Sequence, residues 1–282
     1  MRYQTTLELR TRSGHFMAGT RTHLMKLELD TEANILRLTQ NGQEQIMPLY
    51  STEGFEALSD AWLKVSWNQK YSYTFSWFGR PVIQHPEDML RTAEVLFKLK
   101  PDFVVETGVA HGGSLVFYAT LFEAMNKGRV IGVDIEIRPH NRAALEAHPL
   151  KHRIDLIEGS STAPEIVREV RRRIPAGSTV LVILDSNHSK AHVAAELEAY
   201  HDLVSPGSYI VATDGIMEMV HDTPRGNPGW KSDNPSSAAA EFCSRHPEFE
   251  LVQPPWAFNE SELKANITCW PGAWLRRLGS GR

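Results

Sequence analysis

A glycine-rich turn and two acidic strand ends carry the residues of this 282-residue chain whose types and spacing suit chemistry. The turn reads Glu106-Thr107-Gly108-Val109-Ala110-His111-Gly112-Gly113-Ser114, between an apolar run and a helix-like stretch. In open α/β sheets ligands sit beyond the carboxyl ends of the strands, so the position suits a cofactor. A dinucleotide fingerprint would read Gly-x-Gly-x-x-Gly, with a helix N-terminus facing a pyrophosphate. Here the glycines read Gly-x-x-x-Gly-Gly, and Glu106 stands where it would repel a diphosphate. The combination favours a cationic cofactor. S-adenosylmethionine carries a sulfonium and an ammonium, lacks phosphate, and needs close backbone approach plus a carboxylate.

Asp134 ends the second strand-like run, where an acid can accept hydrogen bonds from ribose hydroxyls; a helix N-cap before Pro139 is the plainer alternative. After the third run come Glu158-Gly159-Ser160-Ser161, a small hydroxyl stretch suited to the border of an adenine. The fourth ends in Asp185-Ser186-Asn187-His188 and the fifth in Thr213-Asp214. Adjacent strands would bring Asp185 and Asp214 to one edge, as two hard oxygen ligands for Mg²⁺. His188 follows closely enough to serve as general base on a substrate hydroxyl, a helix cap being the alternative. His192 reads as a support for the site or the core. Arg168, Arg171, Arg172 and Arg173 complement a helix C-terminus and read as a solvated helix end.

The elements that must position these residues follow from periodicity. Alternation at 24–29 and 35–38, around a turn at 30–34, predicts a β-hairpin, with a third strand at 45–49 after Asn41-Gly42. Phe55, Leu58, Trp62 and Val65 suit one face of a helix over 53–68. The aromatic stretch Trp67, Tyr71, Tyr73, Phe75, Trp77 and Phe78 reads as a linker plugging the core edge or as the wall of a substrate pocket. Helices at 87–100, 114–126, 141–147, 164–174 and 189–203 then alternate with strands at 102–106, 129–134, 153–158, 179–184 and 208–212. That alternation predicts a doubly wound α/β domain, its parallel sheet covered on both faces. A long loop at 215–234, with Pro224, Gly226, Pro228 and Gly229, is a candidate lid. Asn234-Pro235 should cap a helix to about Arg245, and strands at 249–253 and 266–270 should close the sheet. The expected division is an N-terminal meander over 1–52 and a cofactor domain over 53–282.

Composition narrows the class. Hydrophobic residues at 41% and charged residues at 23% exclude a disordered or collagen-like chain. A net charge of −4 is a poor footprint for nucleic acid, which is not expected as a partner. Two cysteines, Cys243 and Cys269, fit a reducing cytosol better than a disulfide framework. Residues 1–10 show no apolar segment behind their positive charge, and the longest apolar run is too short to span a bilayer, so a cytoplasmic protein without a membrane partner is expected.

Trp77-Phe78-Gly79-Arg80-Pro81 with Gln84, Pro86 and Asp88, then Glu106 through Ser114, then Asp185-Ser186-Asn187-His188, together resemble the cephalosporin hydroxylase and rhamnosyl O-methyltransferase family over roughly 77–277. The resemblance implies a Rossmann-like, mostly parallel methyltransferase sheet with an antiparallel last strand, and an S-adenosylmethionine-dependent O-methyltransferase. The acceptor would be a hydroxyl of a small natural product such as a deoxysugar or glycoside. It implies Glu106, Gly108, Gly113 and Ser114 around the methionine moiety, Asp134 on the ribose and Ser161 near the adenine. Asp185 and Asp214 would hold Mg²⁺, Asp185 would also border the cofactor, and His188 would take the place of the catalytic base. Antibiotic or other natural-product tailoring and a homo-oligomer are further expectations. Relatives carry an acid where this chain has Thr213, which leaves three outcomes open: a weaker metal site, one completed by Glu218 or Asp222, or none. A non-catalytic partner in a tailoring complex is the rival reading, and an NAD-dependent oxidoreductase a more distant one.

Overall fold

The computed structural model describes residues 6–7, 25–40 and 42–279. Leu24 of the expected first strand, the turn residue Asn41 and most of the charged segment 1–10 lie outside them. Strands β1 (Thr6–Leu7), β2 (Met25–Asp30), β3 (Ile35–Gln40) and β4 (Gln43–Pro48) form an antiparallel sheet in that order. Its alternating apolar positions, Leu27 and Leu36, join Leu49 to bury one face against Ala57, Leu58 and Ala61 of helix α1 (Thr52–Asn68). Ser51 caps that helix by accepting from Gly54 N.

Helix α1 covers the expected residues but buries a different face. Phe55, Trp62 and Val65 remain more than a third exposed, while Leu63 and Ser66 are buried. The helix has two bodies to satisfy, so its contacts split between the small sheet and the main core. The aromatic stretch is no plain linker either: it forms a 3-10 turn, Tyr71–Thr74, and a short hairpin of β5 (Phe75–Trp77) and β6 (Arg80–Val82).

Helix α2 (Pro86–Leu99) leads into strand β7 (Phe103–Thr107), followed by α3 (Gly113–Met125) and β8 (Arg129–Asp134). Then come α4 (Pro139–Glu146), β9 (Ile154–Glu158), α5 (Pro164–Arg173), β10 (Val180–Leu184) and α6 (Lys190–Tyr200). Strand β11 (Tyr209–Ala212), the short α7 (Met217–Val220), α8 (Pro235–Arg245), β12 (Phe249–Val252) and β13 (Trp274–Arg277) complete the chain. The large sheet runs β12-β13-β11-β10-β7-β8-β9, parallel except for β13, which pairs antiparallel with both neighbours. Every residue of β7 and β10 is buried, as central parallel strands require. Each fully buried Val, Ile or Leu there contributes roughly 2 kcal/mol. The expected doubly wound sheet with an antiparallel last strand is therefore present.

Two expectations need correction. Residues 266–270 are not a strand; the last strand is Trp274–Arg277. Their donors are spent on side chains instead: Asn266 N donates to Gln253 Oε1 (2.8 Å), and Cys269 N and the Thr268 hydroxyl both donate to the buried Asp88. The stretch 215–234 is not structureless, since it holds α7 and a 3-10 turn, Pro228–Lys231, and Ile216 and Val220 are fully buried. Asn234 does cap α8, accepting from Ser237 N at 2.8 Å with Pro235 first in the helix.

Candidate active site

The tips of β7, β8 and β10 are laced together by backbone hydrogen bonds. Gly108 N donates to Val133 O (2.7 Å) and Asp185 N to Thr107 O (2.8 Å). Gly108 has φ +93°, and a Cβ there would lie 2.0 Å from the Asp185 carbonyl oxygen, so only glycine lets the first turn run so close to β10. Gly113 is required on the opposite side, where a Cβ would lie 2.1 Å from the Pro81 carbonyl oxygen. Its smallness thus admits β6. Arg80 braces the turn from outside, donating to His111 O (2.9 and 2.6 Å) and to Asn141 Oδ1 (2.8 Å), while Asn141 Nδ2 donates to Ala110 O (2.9 Å).

Glu106 is fully buried, and both its oxygens are taken: Ser114 donates to Oε2 (2.6 Å) and Tyr118 to Oε1 (3.1 Å). Burial first, and the charges of Asp185 and Asp134 in addition, raise its pKa well above the ordinary carboxylate range. Glu106 is therefore not the open carboxylate pictured from the sequence. It fixes the first turns of α3 to β7. Asp134 has a comparable local duty, because Oδ2 accepts from Val109 N (2.8 Å) and Ala110 N (3.1 Å) and Oδ1 from Glu136 N (3.2 Å). It holds the glycine-rich turn at the tip of β8.

Beyond these, Asp185, His188 and Asp214 converge, with one donor atom from each within 4.8 Å of the others. His188 Nε2 lies 3.2 Å from Asp214 Oδ2. Asp214 reaches this position through a left-handed backbone, φ +57°. Thr213 is fully buried, its hydroxyl shared between Leu184 O (2.9 Å) and Asp185 Oδ1 (2.6 Å). Burial, and then the charge of Asp214, push Asp185 up to about 7. A cation shared by Asp185 and Asp214 would offset the cost of the buried Asp185 charge, and oxygen donors with one imidazole suit Mg²⁺ or a softer divalent ion. Thr213 orients Asp185 and offers no carboxylate of its own. The two acids proposed to replace it stand elsewhere: Asp222 pairs with Lys64 (2.9 Å), and Glu218 and Asp222 line a cleft beside Met25 and Leu38 of the N-terminal sheet.

Asp214 also faces a recess lined by Trp67, Ser72, Tyr73, Gln84, His85, Arg225 and Trp270. The aromatic stretch divides: Trp67 and Tyr73 line this recess, whereas Trp77 packs edge-on to Phe117 in the core at 5.2 Å. Gln84 was quoted from the sequence only as part of a motif. Its amide is buried and faces Asp185 and Tyr118, in contacts that fall short of full hydrogen-bond geometry. A ligand that completes those bonds would gain from an amide that is already desolvated. Only the polar residue type was visible beforehand; its seclusion comes from the hairpin.

Ser161 and His192 belong to a supporting layer. His192 Nε2 lies 3.3 Å from Ser161 Oγ, 3.1 Å from Ser186 Oγ and 3.3 Å from buried Glu196, whose hydrogen bond raises the imidazole's pKa. Tyr200 donates to Ser161 O at 2.7 Å. Ser161 is itself buried, and its backbone and side chain are both engaged.

Comparison with known proteins supplies the lineage. The family profile described as Rhamnosyl O-methyltransferase/CmcI matches residues 69–278. A rhamnosyl O-methyltransferase of Mycobacterium leprae is 32% identical over 158 residues, covering 55% of this chain and 67% of that protein. One of Mycobacterium tuberculosis is 31% identical over 50% of this chain and 57% of its own length, so the match spans little more than half of it. An apo structure of CmcI (18% identical, 74% of this chain and 78% of that chain) and one with magnesium and SAM (19%, 73% and 78%) each superpose with a TM-score of 0.50. That likeness shows a shared fold. With three quarters of its residues matched, this chain belongs to the Rhamnosyl O-methyltransferase/CmcI family.

Proposed function

We propose that this chain is an S-adenosylmethionine-dependent O-methyltransferase acting on a sugar hydroxyl of a small glycoside. The observation that carries the reading is the convergence of Asp185, His188 and Asp214 between the glycine-rich turn and an aromatic recess. The names of the mycobacterial relatives support a deoxysugar acceptor, and aromatic walls such as Trp67 and Tyr73 suit a sugar ring.

The residues present fit a cationic donor. Burial first, then the charges of Asp185 and Asp134, raise the proton affinity of Glu106; a positive ligand relieves that repulsion among the acids and a diphosphate adds to it. Gly108 lets the turn pass close beside Asp185, and Gln84 offers a buried amide at the same place. S-adenosylmethionine, when bound, supplies an electrophilic methyl group. Gly108, Ser114 and Gln84 would hold its methionine end and Asp134 its ribose, while Ser161 backs the adenine side. Asp185 and Asp214 would hold a divalent ion, whose chemistry is to polarise the acceptor hydroxyl.

His188 is the general base. It takes the proton at the acceptor oxygen, and Asp214, 3.2 Å from Nε2, orients the ring and balances the charge that forms. Thr213 fixes the Asp185 carboxylate by its hydrogen bond. Trp67, Tyr73 and Trp270 exclude water and hold the acceptor, so positioning supplies much of the rate. The residues after Asp214, expected to act as a lid, would cover this recess from the side of Arg225, one of its lining residues.

Among the described residues no helix is long and apolar enough to cross a membrane, and both cysteines are free. The free cysteines favour a reducing compartment for this activity. The test is transfer of a labelled methyl group from S-adenosylmethionine to rhamnosyl and related deoxysugar glycosides. Label in an ether on the sugar supports the reading; label in none of them, with the folded protein present, contradicts it.

A further inference from the structure

A second cluster of imidazole and carboxylate groups lies at the other end of the sheet. Asp185 follows the last residue of β10, whereas the 3-10 turn His201–Leu203 sits where β10 and β11 begin. Ser205 Oγ accepts from Val180 N there (3.0 Å), and Arg277 ties the carbonyls of Asp202 and Val204 (3.1 and 2.6 Å). The five residues of β10 set the two ends roughly 16 Å apart.

At this remote end, His201, His246 and Glu248 each bring a donor atom within 4.8 Å of the others, all half-buried. His201 Nδ1 lies 3.0 Å from the Glu198 carbonyl oxygen. That bond fixes the Nδ1–H tautomer and leaves the Nε2 lone pair free, the usual arrangement behind a metal-ligating histidine. His246 stacks on Phe242 at 3.9 Å with its plane tilted 13°, its Nδ1 3.1 Å from Glu248 Oε1. The two imidazole rings are 5.0 Å apart. Glu198 also approaches His246 Nε2 (3.3 Å), but Arg245 holds that carboxylate at 3.2 Å.

We propose that His201, His246 and Glu248 form a structural site for a zinc-class divalent ion, independent of the methyl-transfer reading. Two imidazoles with one carboxylate suit Zn²⁺, Co²⁺ or Ni²⁺, while Mg²⁺ and Ca²⁺ prefer all-oxygen sites. Tetrahedral bonds of about 2.0–2.1 Å require neighbouring donors roughly 3.4 Å apart, so these side chains close by about 1.4 Å at most. The ion displaces Glu198 from His246 Nε2, Arg245 retaining that carboxylate, and the fourth position falls to water. The ion would clamp the end of α6, the end of α8 and the start of β12. Both helices begin at the catalytic end, where Lys190 N donates to Asp233 Oδ1 (2.6 Å).

The test uses the full chain without a histidine tag, dialysed against chelator, in an Asp185→Asn background that silences the other cluster. Titration with ZnCl₂ should show one equivalent bound and a rise in Tm of a few degrees. Glu248→Gln and His246→Gln, checked for folding by circular dichroism, should each weaken binding at least 10-fold and remove the Tm rise. Zinc binding of equal strength in those variants, or no zinc bound in the Asp185→Asn background, overturns the proposal.

Discussion

His188 Nε2 lies 3.2 Å from Asp214 Oδ2, so the proposed base and a proposed metal ligand meet in one pair. Asp185 and Asp214 would hold a divalent ion beside His188, which would polarise the acceptor hydroxyl whose proton the imidazole takes. His188→Ala should lower kcat by about 10²-fold or more while S-adenosylhomocysteine affinity stays within twofold. Stopped assays with calorimetry on the same preparations check this; an unaltered rate would remove His188 from the mechanism.

Gly108 and Gly79 make a controlled comparison. Both have positive φ, but a Cβ at Gly108 meets the Asp185 backbone at 2.0 Å, whereas one at Gly79 meets nothing within 4 Å. Gly108→Ala should cost about 3 kcal/mol or more in urea denaturation, against roughly 1 kcal/mol for Gly79→Ala. Equal costs would mean that the turn relaxes away from β10.

Tyr73 is largely exposed and lines the recess, so its removal disturbs little of the core. Tyr73→Ala should raise the acceptor KM roughly 5- to 10-fold, the worth of about 1–1.5 kcal/mol of ring contact, and leave S-adenosylhomocysteine binding unchanged. An unmoved KM would shift the acceptor to another surface.

Asp88 gives the fold a pH dependence away from the reaction. Burial pushes its carboxyl up to about 7 although Thr268 and Cys269 N donate to it. A raised acid pKa means that the folded state keeps the proton longer than the unfolded chain. The contribution is complete below about pH 4 and is lost as pH climbs through 7. Stability of the unliganded protein should fall by a few kcal/mol at most between pH 5 and 8, and Asp88→Asn should flatten that slope. Chemical denaturation at four pH values checks it, and identical slopes would clear Asp88.

The parallel strands were legible because their β-branched runs are buried on both faces, and Glu106, Asp134, Asp185 and Asp214 fell at strand ends for the same reason. What hid was contact across long separations. Asp88 takes donors from residues 180 positions away and so prevents the strand that 266–270 imitates. The roles of Gln84 and Tyr118 depend on a hairpin and a helix meeting over Glu106, which no local spacing encodes. Asp134 was legible as an acid at a strand tip, but its grip on the Val109 and Ala110 amides was not.

The central claim is that a sulfonium-bearing donor lies in the crevice formed by β7, β8 and β10. Calorimetric titration with S-adenosylhomocysteine measures this most directly, with NADH as the phosphate-bearing control. The account predicts one binding site per chain, weakened at least 10-fold by Asp134→Ala and by Gln84→Leu, and no heat from NADH. No binding of S-adenosylhomocysteine to the folded protein, or tighter binding of NADH, would contradict it.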